Sequence, residues 1–556
     1  TSSSWIRRGC QVLPGRPPNL TTLLVNGRVH SPAMPEATAM AVTEGSDPTV
    51  AWLGADAVGR AQFPDALVID LEGGFLTPAF VDSHVHLTAT GLAVIGLDLR
   101  SATSGEHLLR LLSDFATDHP DGPIWAHGWD ESSWANPDPP TTADLDGVLG
   151  ARPAYLARVD VHSAAANTAL RALAPGLSAA VGYTGQRPLK AEAHHLVRAV
   201  ARGLLTPAQR DQARIEALEL AARSGIVAVH ECAGPDIGGI DDWHAVRAIN
   251  HGVEIVGYWG EAVGTAEQAR ELVTATGADG LAGDLFVDGA LGSRTAWLHQ
   301  PYSDGPDGCG NAYLDVDAIE AHLGACTESG ITAGFHVIGD AAVSAVVAAL
   351  DRVVERFGAA AVARCGHRLE HLEMITAEQA GRLGASGVIA SVQPNFDALW
   401  GGDHGMYASR LGVDRARRLN PLALLASQGV PLALGSDTPV TSMNPWETVR
   451  AAMRHRTQGS ALSARAAFAA ATRGAWRAGG VRDGVTGTLV PGAPASYAVW
   501  EVPDGPDGLV VKAPADGVER WSTDPRARIP ALPRLEPDDP LPTCRKTVHR
   551  GAVLHG

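Results

Sequence analysis

The stretch Pro78-Ala79-Phe80-Val81-Asp82-Ser83-His84-Val85-His86-Leu87 decides the fold, because an apolar, strand-forming run ends in two histidines one residue apart. Side chains alternate along a β-strand, so His84 and His86 leave the same face. Two neutral imidazoles at the end of a strand are half of a site for Zn²⁺ or a similar divalent ion. An isolated His-x-His also fits two polar residues on a half-exposed strand, so the rest of the chain has to decide.

Composition limits the class of protein. A chain of 556 residues is long for one domain, which predicts a large domain and a smaller one. The formal net charge of -17 argues against nucleic acid or an anionic membrane as a partner. Six cysteines without paired spacing fit a reduced compartment. The first residues lack the apolar centre of a secretory signal, and no apolar run reaches the roughly 20 residues of a membrane span. We therefore expect a cytoplasmic protein.

Short β-type runs separated by glycine-containing turns occupy both ends of the chain. They are Thr22–Val25, Ala39–Val42, Thr49–Leu53, Thr486–Leu489, Ser496–Trp500 and Gly551–Leu554. This pattern of short strands and turns at both ends of the chain predicts a small β-sandwich domain that is built from residues 1–75 and 485–556.

The middle of the chain alternates short apolar runs with alanine-rich stretches of helical period, which predicts a parallel sheet with helical crossovers. After the first strand, the candidate strands are Ile226–His230, Val253–Tyr258, Leu285–Asp288, Ile331–His336, Arg368–His371, Val388–Val392 and Pro431–Leu434. Together they make about eight strands, the number that closes a (β/α)₈ TIM-type barrel. We assign this α/β barrel to residues 76–484, with a homodimer as one possible assembly. Five of its strands end in histidine or aspartate at, or just past, the edge where such barrels carry their chemistry: His84 and His86, Asp288, His336, His371 and Asp437.

Residues 101–220 fit no barrel unit. They contain candidate strands of their own, near Ile124–His127 and Ala154–Val159. A long segment of this kind predicts an insertion after the first barrel strand, positioned over the mouth of the site.

Four motifs closely resemble the amidohydrolase superfamily: Phe80–His86, Phe335–Asp340, Gly366–His371 and Gly435–Val440. Three more are similar to its YtcJ-like branch, in amidohydrolase family 3, which contains the N-substituted formamide deformylases: Trp129–Trp134, Arg158–Ser163 and Phe286–Ala296. The resemblance spans nearly the whole chain in family order.

The resemblance implies a metal site and a reaction. The implied metal ligands are His84, His86, His336, His371 and Asp437. Imidazoles and a carboxylate hold a divalent cation, here Zn²⁺, and leave a position for water. The implied reaction is hydrolysis of a carbon–nitrogen bond in a small-molecule amide, formamide or cyclic amide, other than a peptide bond. Metal-bound hydroxide would attack, Asp437 would act as general base and then acid, and His371 would polarise the substrate.

Asp284 departs from the family pattern. Many members of the branch carry a carboxylated lysine here that bridges two metals, but the only lysines of this chain are Lys190, Lys512 and Lys546. We therefore expect no carboxylysine. Three arrangements remain: Asp284 bridges a compact two-metal site, it caps a loop, or one metal binds without it. The last, which we favour, uses His84, His86, His336 and Asp437.

The substrate contacts are predicted in the insertion and after the fourth strand. The candidates are Trp129, Arg158, Asp160, His162 and Arg294, and the alternative is a buried polar network that holds the insertion onto the barrel. The segment Trp400–Tyr407, with two adjacent glycines, is predicted to form a rim or lid.

Each candidate also has an ordinary structural interpretation. His336 alone fits a hydrogen-bonded core histidine, and Asp437 in Gly-Ser-Asp fits a helix N-cap. His367 and Glu370 fit surface charges. The resemblance implies no ligand at His230, which ends the second strand, so pocket lining or a structural role is expected there.

Two other functions stay open. The first is a deaminase of an amino-substituted ring, because a one-metal histidine and aspartate site on this scaffold also resembles deaminases. The second is a barrel that binds a ligand without turnover, suggested by the missing lysine. Asp437 argues against the binder, since binding needs no proton-transfer carboxylate.

Overall fold

The computed structural model describes residues 21–305, 308–510 and 530–556. The predicted terminal domain therefore includes residues 1–20 and 511–529, which lie outside the described part.

The helices and strands follow one another along the chain in five regions. Residues 21–95 contain β1 (Thr21–Val25), β2 (Arg28–Val29), β3 (Ala39–Thr43), β4 (Val50–Gly54), α1 (Asp56–Gln62), β5 (Leu67–Asp70), β6 (Phe75–Pro78), β7 (Phe80–Val85) and α2 (Leu87–Ile95). Residues 97–223 contain β8 (Leu97–Asp98), α3 (Gly105–Asp118), β9 (Ile124–Trp129), α4 (Thr142–Leu149), β10 (Ala154–Arg158), β11 (Ser163–Ala166), α5 (Thr168–Arg171), β12 (Leu189–Lys190), α6 (Ala191–Gly203) and α7 (Pro207–Arg223). Residues 226–371 contain β13 (Ile226–Ala233), α8 (Ile240–Arg247), β14 (Glu254–Trp259), α9 (Ala266–Thr276), α10 (Val316–Ser329), β15 (Gly334–Val337), α11 (Asp340–Phe357), α12 (Ala359–Cys365) and β16 (Arg368–His371). Residues 377–478 contain α13 (Ala377–Ala385), β17 (Ile389–Val392), α14 (Pro394–Trp400), α15 (Met406–Leu411), α16 (Val413–Ala416), α17 (Leu422–Ser427), β18 (Leu432–Leu434), α18 (Pro445–Met453), α19 (Ala464–Ala469) and α20 (Ala475–Ala478). Residues 497–555 contain β19 (Tyr497–Glu501), β20 (Leu509–Val510), β21 (Leu532–Pro533), β22 (Thr543–His549) and β23 (Ala552–His555).

The central strands form parallel sheets with helical crossovers. One sheet has the order β14-β13-β7 and the other β15-β16-β17-β18. Single parallel bridges connect the edges of the two sheets. On one side Val85 pairs with Thr438. On the other side Gly280 pairs with Tyr258, while Leu281 and Phe286 pair with Ala333 and His336. All eight residues of β13 are buried, as expected for a strand covered on both faces. The architecture is that of an α/β TIM-type barrel.

The fourth barrel segment differs from the sequence prediction. Instead of a continuous strand at 285–288, the chain makes isolated bridges at Gly280, Leu281 and Phe286. Gly283 has a φ of +76°, a left-handed conformation that interrupts an extended strand. The following residue is Asp284, so the break places this carboxylate at the edge of the barrel.

Strands from both ends of the chain form two further sheets. Their orders are β4-β3-β1-β5 and β2-β6-β19-β22-β23. Side chains from both sheets, including Leu24, Met40, Leu76 and Val499, share one apolar core. The predicted strand at 486–489 is a turn instead. Strand β6 is separated by one residue from β7, so this region is directly connected to the strand that carries His84.

Residues 97–190 form a separate sheet with the order β12-β11-β10-β9-β8. Apolar side chains of β9 and β10 pack with helices α3 and α4 in a core of their own. His127 of β9 makes a 2.8 Å hydrogen bond to the carbonyl of Pro439, which ties this sheet to the residues after β18. Among the described residues, no helix combines the length and apolar character needed to cross a membrane.

Candidate metal centre

The ends of neighbouring strands bring the predicted ligands together. His84 lies on β7 and His86 directly follows it, while Asp437 comes three residues after β18. The Asp437 amide donates to the His84 carbonyl over 2.9 Å, and the His86 amide donates to Thr438 over 3.1 Å. These backbone contacts fix the Asp437 carboxylate beside both imidazoles.

The distances between the side-chain atoms are those of ligands around a common ion. His84 Nε2 lies 3.4 Å from Asp284 Oδ1 and 3.4 Å from Asp437 Oδ1. His86 Nε2 lies 3.2 Å from Asp284 Oδ2 and 3.3 Å from Asp437 Oδ1. Ligands about 2.1 Å from a tetrahedral ion stand about 3.4 Å apart, whereas N–H···O hydrogen bonds are mostly shorter, near about 2.9 Å.

His84, Cys232 and Glu370 also lie close together, but the predicted ligands fall into two groups of three that share His84. One group is His84, His86 and Asp437, the other is His84, Asp284 and His371, and within each group the atoms lie within 4.8 Å of one another. His84 Nε2, His371 Nε2 and Asp284 Oδ1 are buried and have no hydrogen-bond partner among the described residues. Unpaired buried nitrogen and oxygen atoms at this spacing fit a divalent cation.

The other ring nitrogens of two of these histidines are held by buried acceptors. His84 Nδ1 donates to Glu370 Oε2 over 2.9 Å, and His371 Nδ1 donates to Gln393 Oε1 over 2.7 Å. Arg368 in turn donates to Glu370 and contacts His230 Nδ1 at 2.9 Å. A hydrogen bond at Nδ1 fixes the tautomer and directs the Nε2 lone pair toward the site.

Two carboxylates at the site, Asp284 and Glu370, are held in their ionised form. Burial works against a charge on Asp284, but His84 and His86 outweigh it and hold the pKa of this carboxyl well below its usual range. Burial likewise opposes ionisation of Glu370, and Arg368 and His84 reverse this, so its pKa is also low. Burial alone would lower the pKa of His86, but Asp284 and Asp437 raise it well above its ordinary value. The buried carboxylates of Asp284 and Glu370 therefore favour positive charge beside them, whether on an imidazole or on a metal cation.

Two of the candidate ligands have a strained backbone. His371 has a φ of +73° and Asp437 a φ of +55°, both in the left-handed region that residues other than glycine rarely adopt. Such residues cost about 1–3 kcal/mol each and persist where the surrounding structure holds them, often at functional sites.

His336 lies at the site but outside both groups. Its ring centroid is 4.4 Å from that of His371 and 5.1 Å from that of His162. Its Nδ1 is buried without a hydrogen-bond partner, although Asp288 Oδ1 is 3.8 Å away. The structure thus places Asp284, rather than His336, among the grouped ligand atoms, and His336 remains a predicted ligand beside them.

The predicted substrate-contact residues separate into two sets. Arg158 is 2% exposed and pairs with Asp130, Glu131 and Asp160 at 2.8, 2.8 and 2.9 Å. This arrangement is the buried network that was the alternative interpretation of the sequence. Two others also have structural partners: Trp129 donates its indole N–H to the carbonyl of Leu156, and Arg294 pairs with Asp304.

His162 and Asp160 have the better position for a contact with substrate. Two narrow cavities lie beside the candidate ligands, and His162 lines both. The first, about 60 Å³, is bordered by His86 and Asp284, and the second, about 20 Å³, by His371 and Asp437. Trp400 and Tyr407 border the second cavity, where the rim was predicted, and the segment between them contains the start of α15.

Several alternative interpretations of the sequence are wrong. Glu370 and His367 are not surface charges, because their side chains are 0% and 1% exposed. Asp437 does not cap a helix, since Asn444 is the N-cap of α18. The expectation for His230 differs in outcome: the residue is fully buried and hydrogen bonded to Arg368, which agrees with a structural role.

Sequence reasoning missed Gln393 and the role of Glu370. Glu370 lies on β16 directly before His371, and Gln393 directly follows the neighbouring strand β17, so their position at a strand end was the available signal. Asp288 was noted only as a strand-end aspartate. In the structure its carboxylate accepts the amides of Trp297, Ile338 and Gly339, which orders the loops around His336.

Comparison with known proteins then decides the family, because residues 67–555 match the family model described as "Amidohydrolase family". The chain belongs to the amidohydrolase family. It is 27% identical over 417 residues to "Putative amidohydrolase YtcJ" of Bacillus subtilis, covering 70% of this chain and 75% of that protein. It is 26% identical over 466 residues to "Protein LONG AFTER FAR-RED 3" of Arabidopsis thaliana, covering 78% and 77%.

A solved structure supports the fold of this amidohydrolase. The "uncharacterized metal-dependent hydrolase" of Pyrococcus furiosus superposes with a TM-score of 0.64 at 24% identity, covering 86% of this chain and 98% of that chain. At this identity the likeness shows the fold alone. Family membership and the histidine–aspartate cluster together support a hydrolase that uses a divalent metal ion.

Proposed function

We propose that this amidohydrolase hydrolyses a carbon–nitrogen bond in a small-molecule amide, formamide or cyclic amide, with Zn²⁺ as the metal. The observation that carries the proposal is the shared position of His84 between two ligand groups, with its Nε2 buried and unpaired. A resident cation there would polarise a carbonyl and lower the pKa of water.

The residues of the chain divide the remaining work. The side chains that would hold the cation are His84, His86, Asp284, His371 and Asp437. Glu370 and Gln393 keep the rings of His84 and His371 oriented. Asp437 borders the cavity that also contains His371, so its carboxylate can take a proton from attacking water and return it to the leaving nitrogen. The buried surroundings exclude bulk water from this transfer.

We propose further that Asp284 takes the place of the family's bridging lysine as a ligand. Its two oxygens face different histidines, Oδ1 toward His84 and Oδ2 toward His86. This geometry favours Asp284 as a ligand over the loop-capping alternative. The number of ions, one or two, is decided by metal stoichiometry.

The test combines metal analysis with a hydrolysis screen. Purified protein is assayed for zinc per chain and for turnover of amides, formamides and lactams, in parallel with Asp437→Asn. We expect bound metal in both proteins and turnover only in the parent. The matched control is Asp317→Asn, because the Asp317 side chain is 82% exposed and lies outside the site.

Product analysis separates the competing functions. A released carboxylate supports amide hydrolysis, whereas ammonia released from a ring supports the deaminase. Bound metal without turnover of any substrate class supports the ligand-binding barrel and contradicts the proposal.

The two terminal sheets share a core, and this supports a small β-sandwich domain built from residues 1–75 and 485–556 around a barrel of 76–484, with 101–220 as an insertion.

A further inference from the structure

Helix α6 of the inserted segment presents three basic side chains on one face. His195, Arg198 and Arg202 are spaced three and four residues apart, so they project in the same direction. All three border the cavity that is also bordered by His86 and Asp284. The two arginines therefore lie in the same cavity as two candidate metal ligands.

Arg198 and Arg202 are half-buried, and their guanidinium groups have few partners within the described residues. Arg198 Nη2 donates to the carbonyl of Asp236 over 2.6 Å, but its Nε is buried without a partner. For the Arg202 side chain, no hydrogen bond or ion pair is found within residues 21–305, 308–510 and 530–556. Burial, followed by the charge of Arg198, lowers the pKa of Arg202 to about 10, so the Arg202 guanidinium remains cationic at neutral pH.

Other charges near the cavity do not neutralise this pair. Asp242 also borders it, but its carboxylate is already engaged by Arg214 and by Thr88. Glu231 accepts the amide of Leu87 over 2.7 Å, and burial raises its pKa to about 7. Burial also keeps His195 neutral, since it lowers its pKa to about 3. Arg158, by contrast, is neutralised by three carboxylate partners.

We infer that Arg198 and Arg202 form an anion subsite that binds a carboxylate on the substrate while the scissile bond lies at the metal centre. A planar carboxylate matches the donor fork of a guanidinium. The same cavity is bordered by the aromatic rings of Trp125, Tyr155 and Phe286, which suit an apolar body between the carboxylate and the amide. The substrate class is thus a carboxylate-bearing aromatic or similarly apolar amide.

This inference deepens the proposed function and rests on it for its place in catalysis, but binding can be tested without turnover. The probes are benzoate and benzamide, which have nearly the same shape and differ in charge. Each is titrated calorimetrically into zinc-loaded protein, into Arg198→Met and into Arg202→Met. The control is Arg223→Met, which removes an exposed positive charge at the end of α7.

We expect the parent protein to bind benzoate at least about tenfold more tightly than benzamide. Each cavity variant should weaken benzoate binding by about tenfold to a hundredfold, the loss expected for a charge-assisted hydrogen bond, and leave benzamide binding unchanged. Arg223→Met should bind both probes like the parent. Thermal melting of each variant verifies that it is folded.

Equal binding of the two probes would overturn the inference, as would full benzoate affinity in both folded cavity variants. Benzoate binding could instead be lost on metal removal and unchanged in Arg198→Met and Arg202→Met. That result would mean that the carboxylate binds the metal ion, which also contradicts the subsite.

A kinetic comparison separates this inference from the proposed function. With 4-formamidobenzoate and 4-formamidobenzamide, Arg198→Met should raise KM for the acid by at least about tenfold and change kcat by less than about twofold. If neither compound is hydrolysed but both arginine variants bind benzoate more weakly than the parent, the subsite is supported and the proposal of formamide hydrolysis is contradicted. Hydrolysis of both compounds with the same KM in parent and variant would overturn the subsite and keep the hydrolase.

Discussion

Two pairs of buried histidines differ in one respect, the hydrogen bonding of their ring nitrogens. His322 accepts the amide of Val263 at Nδ1 and donates from Nε2 to the carbonyl of Leu281. His367 accepts an amide at Nδ1 and contacts Thr327 Oγ1 at Nε2. His84 and His371 are equally buried, but only their Nδ1 atoms are paired. Burial alone therefore does not identify a ligand. His230 also has one paired and one unpaired ring nitrogen, so the feature that distinguishes His84 and His371 is their place in a group of ligand atoms that lie within 4.8 Å of one another.

The largest expected effect is the loss of His84, which both ligand groups share. His84→Ala should remove bound metal and lower activity by about a thousandfold or more, since metal chemistry contributes several kcal/mol of transition-state stabilisation. Elemental analysis and kcat/KM measure the two effects. If His84→Ala keeps its full metal content, the comparison between the two pairs of histidines breaks down.

Removing His322 should have the opposite pattern. His322→Leu leaves the Val263 amide and the Leu281 carbonyl without partners, which costs about 2–5 kcal/mol of unfolding free energy. Its metal content per folded chain should equal that of the parent. Urea unfolding and elemental analysis on one preparation check both statements, and lost metal in folded protein would contradict the structural role.

Glu370→Gln tests the oriented nitrogen of His84. The amide side chain is neutral and leaves Arg368 with a weaker partner, so metal affinity should fall by about tenfold to a hundredfold. Competition with a chelator measures the affinity. Glu378→Gln is the matched control, because Glu378 is 79% exposed and pairs only with Arg382 in the described structure. Unchanged affinity in Glu370→Gln would show that its hydrogen bond does not tune the site.

The pH dependence of stability should also reflect His322. Burial lowers its pKa from 6.5 to about 4, so the unfolded chain takes up a proton first as the pH falls. Its contribution to stability is complete above about pH 6.5 and is lost as the pH falls toward 4. Between pH 7.5 and 5 the parent should lose on the order of 1–2 kcal/mol more than His322→Leu in urea unfolding. Equal losses would mean that this imidazole does not titrate as described.

Arg294 should give the smallest effect. Its ion pair with Asp304 is partly exposed, with side chains 31% and 21% accessible, so Arg294→Met should cost less than about 1 kcal/mol of stability. KM for any substrate found should stay within about twofold. A larger rise in KM would support the prediction from the sequence that Arg294 contacts the substrate.

The sequence predicted the part of the site that depends on strand periodicity. His84 and His86 share a face because side chains alternate, and His371 and Asp437 follow strands of the same sheet edge. The position of Asp284 depends on the left-handed Gly283, and no periodic pattern reports a single backbone torsion. Glu370 was ambiguous, because the partners that neutralise it, Arg368 and His84, are decided by side-chain packing.

The pairing of β6 with β19 connects residues about 420 positions apart, Phe75–Pro78 with Tyr497–Trp500. During synthesis, the β6 edge that pairs with β19 therefore stays unpaired until nearly the whole chain has left the ribosome. An unpaired edge of this kind invites association with other chains. The region around the end of β7 can therefore complete its folding only in the last part of translation. Chains that end before β19 should aggregate rather than accumulate as partly active enzyme.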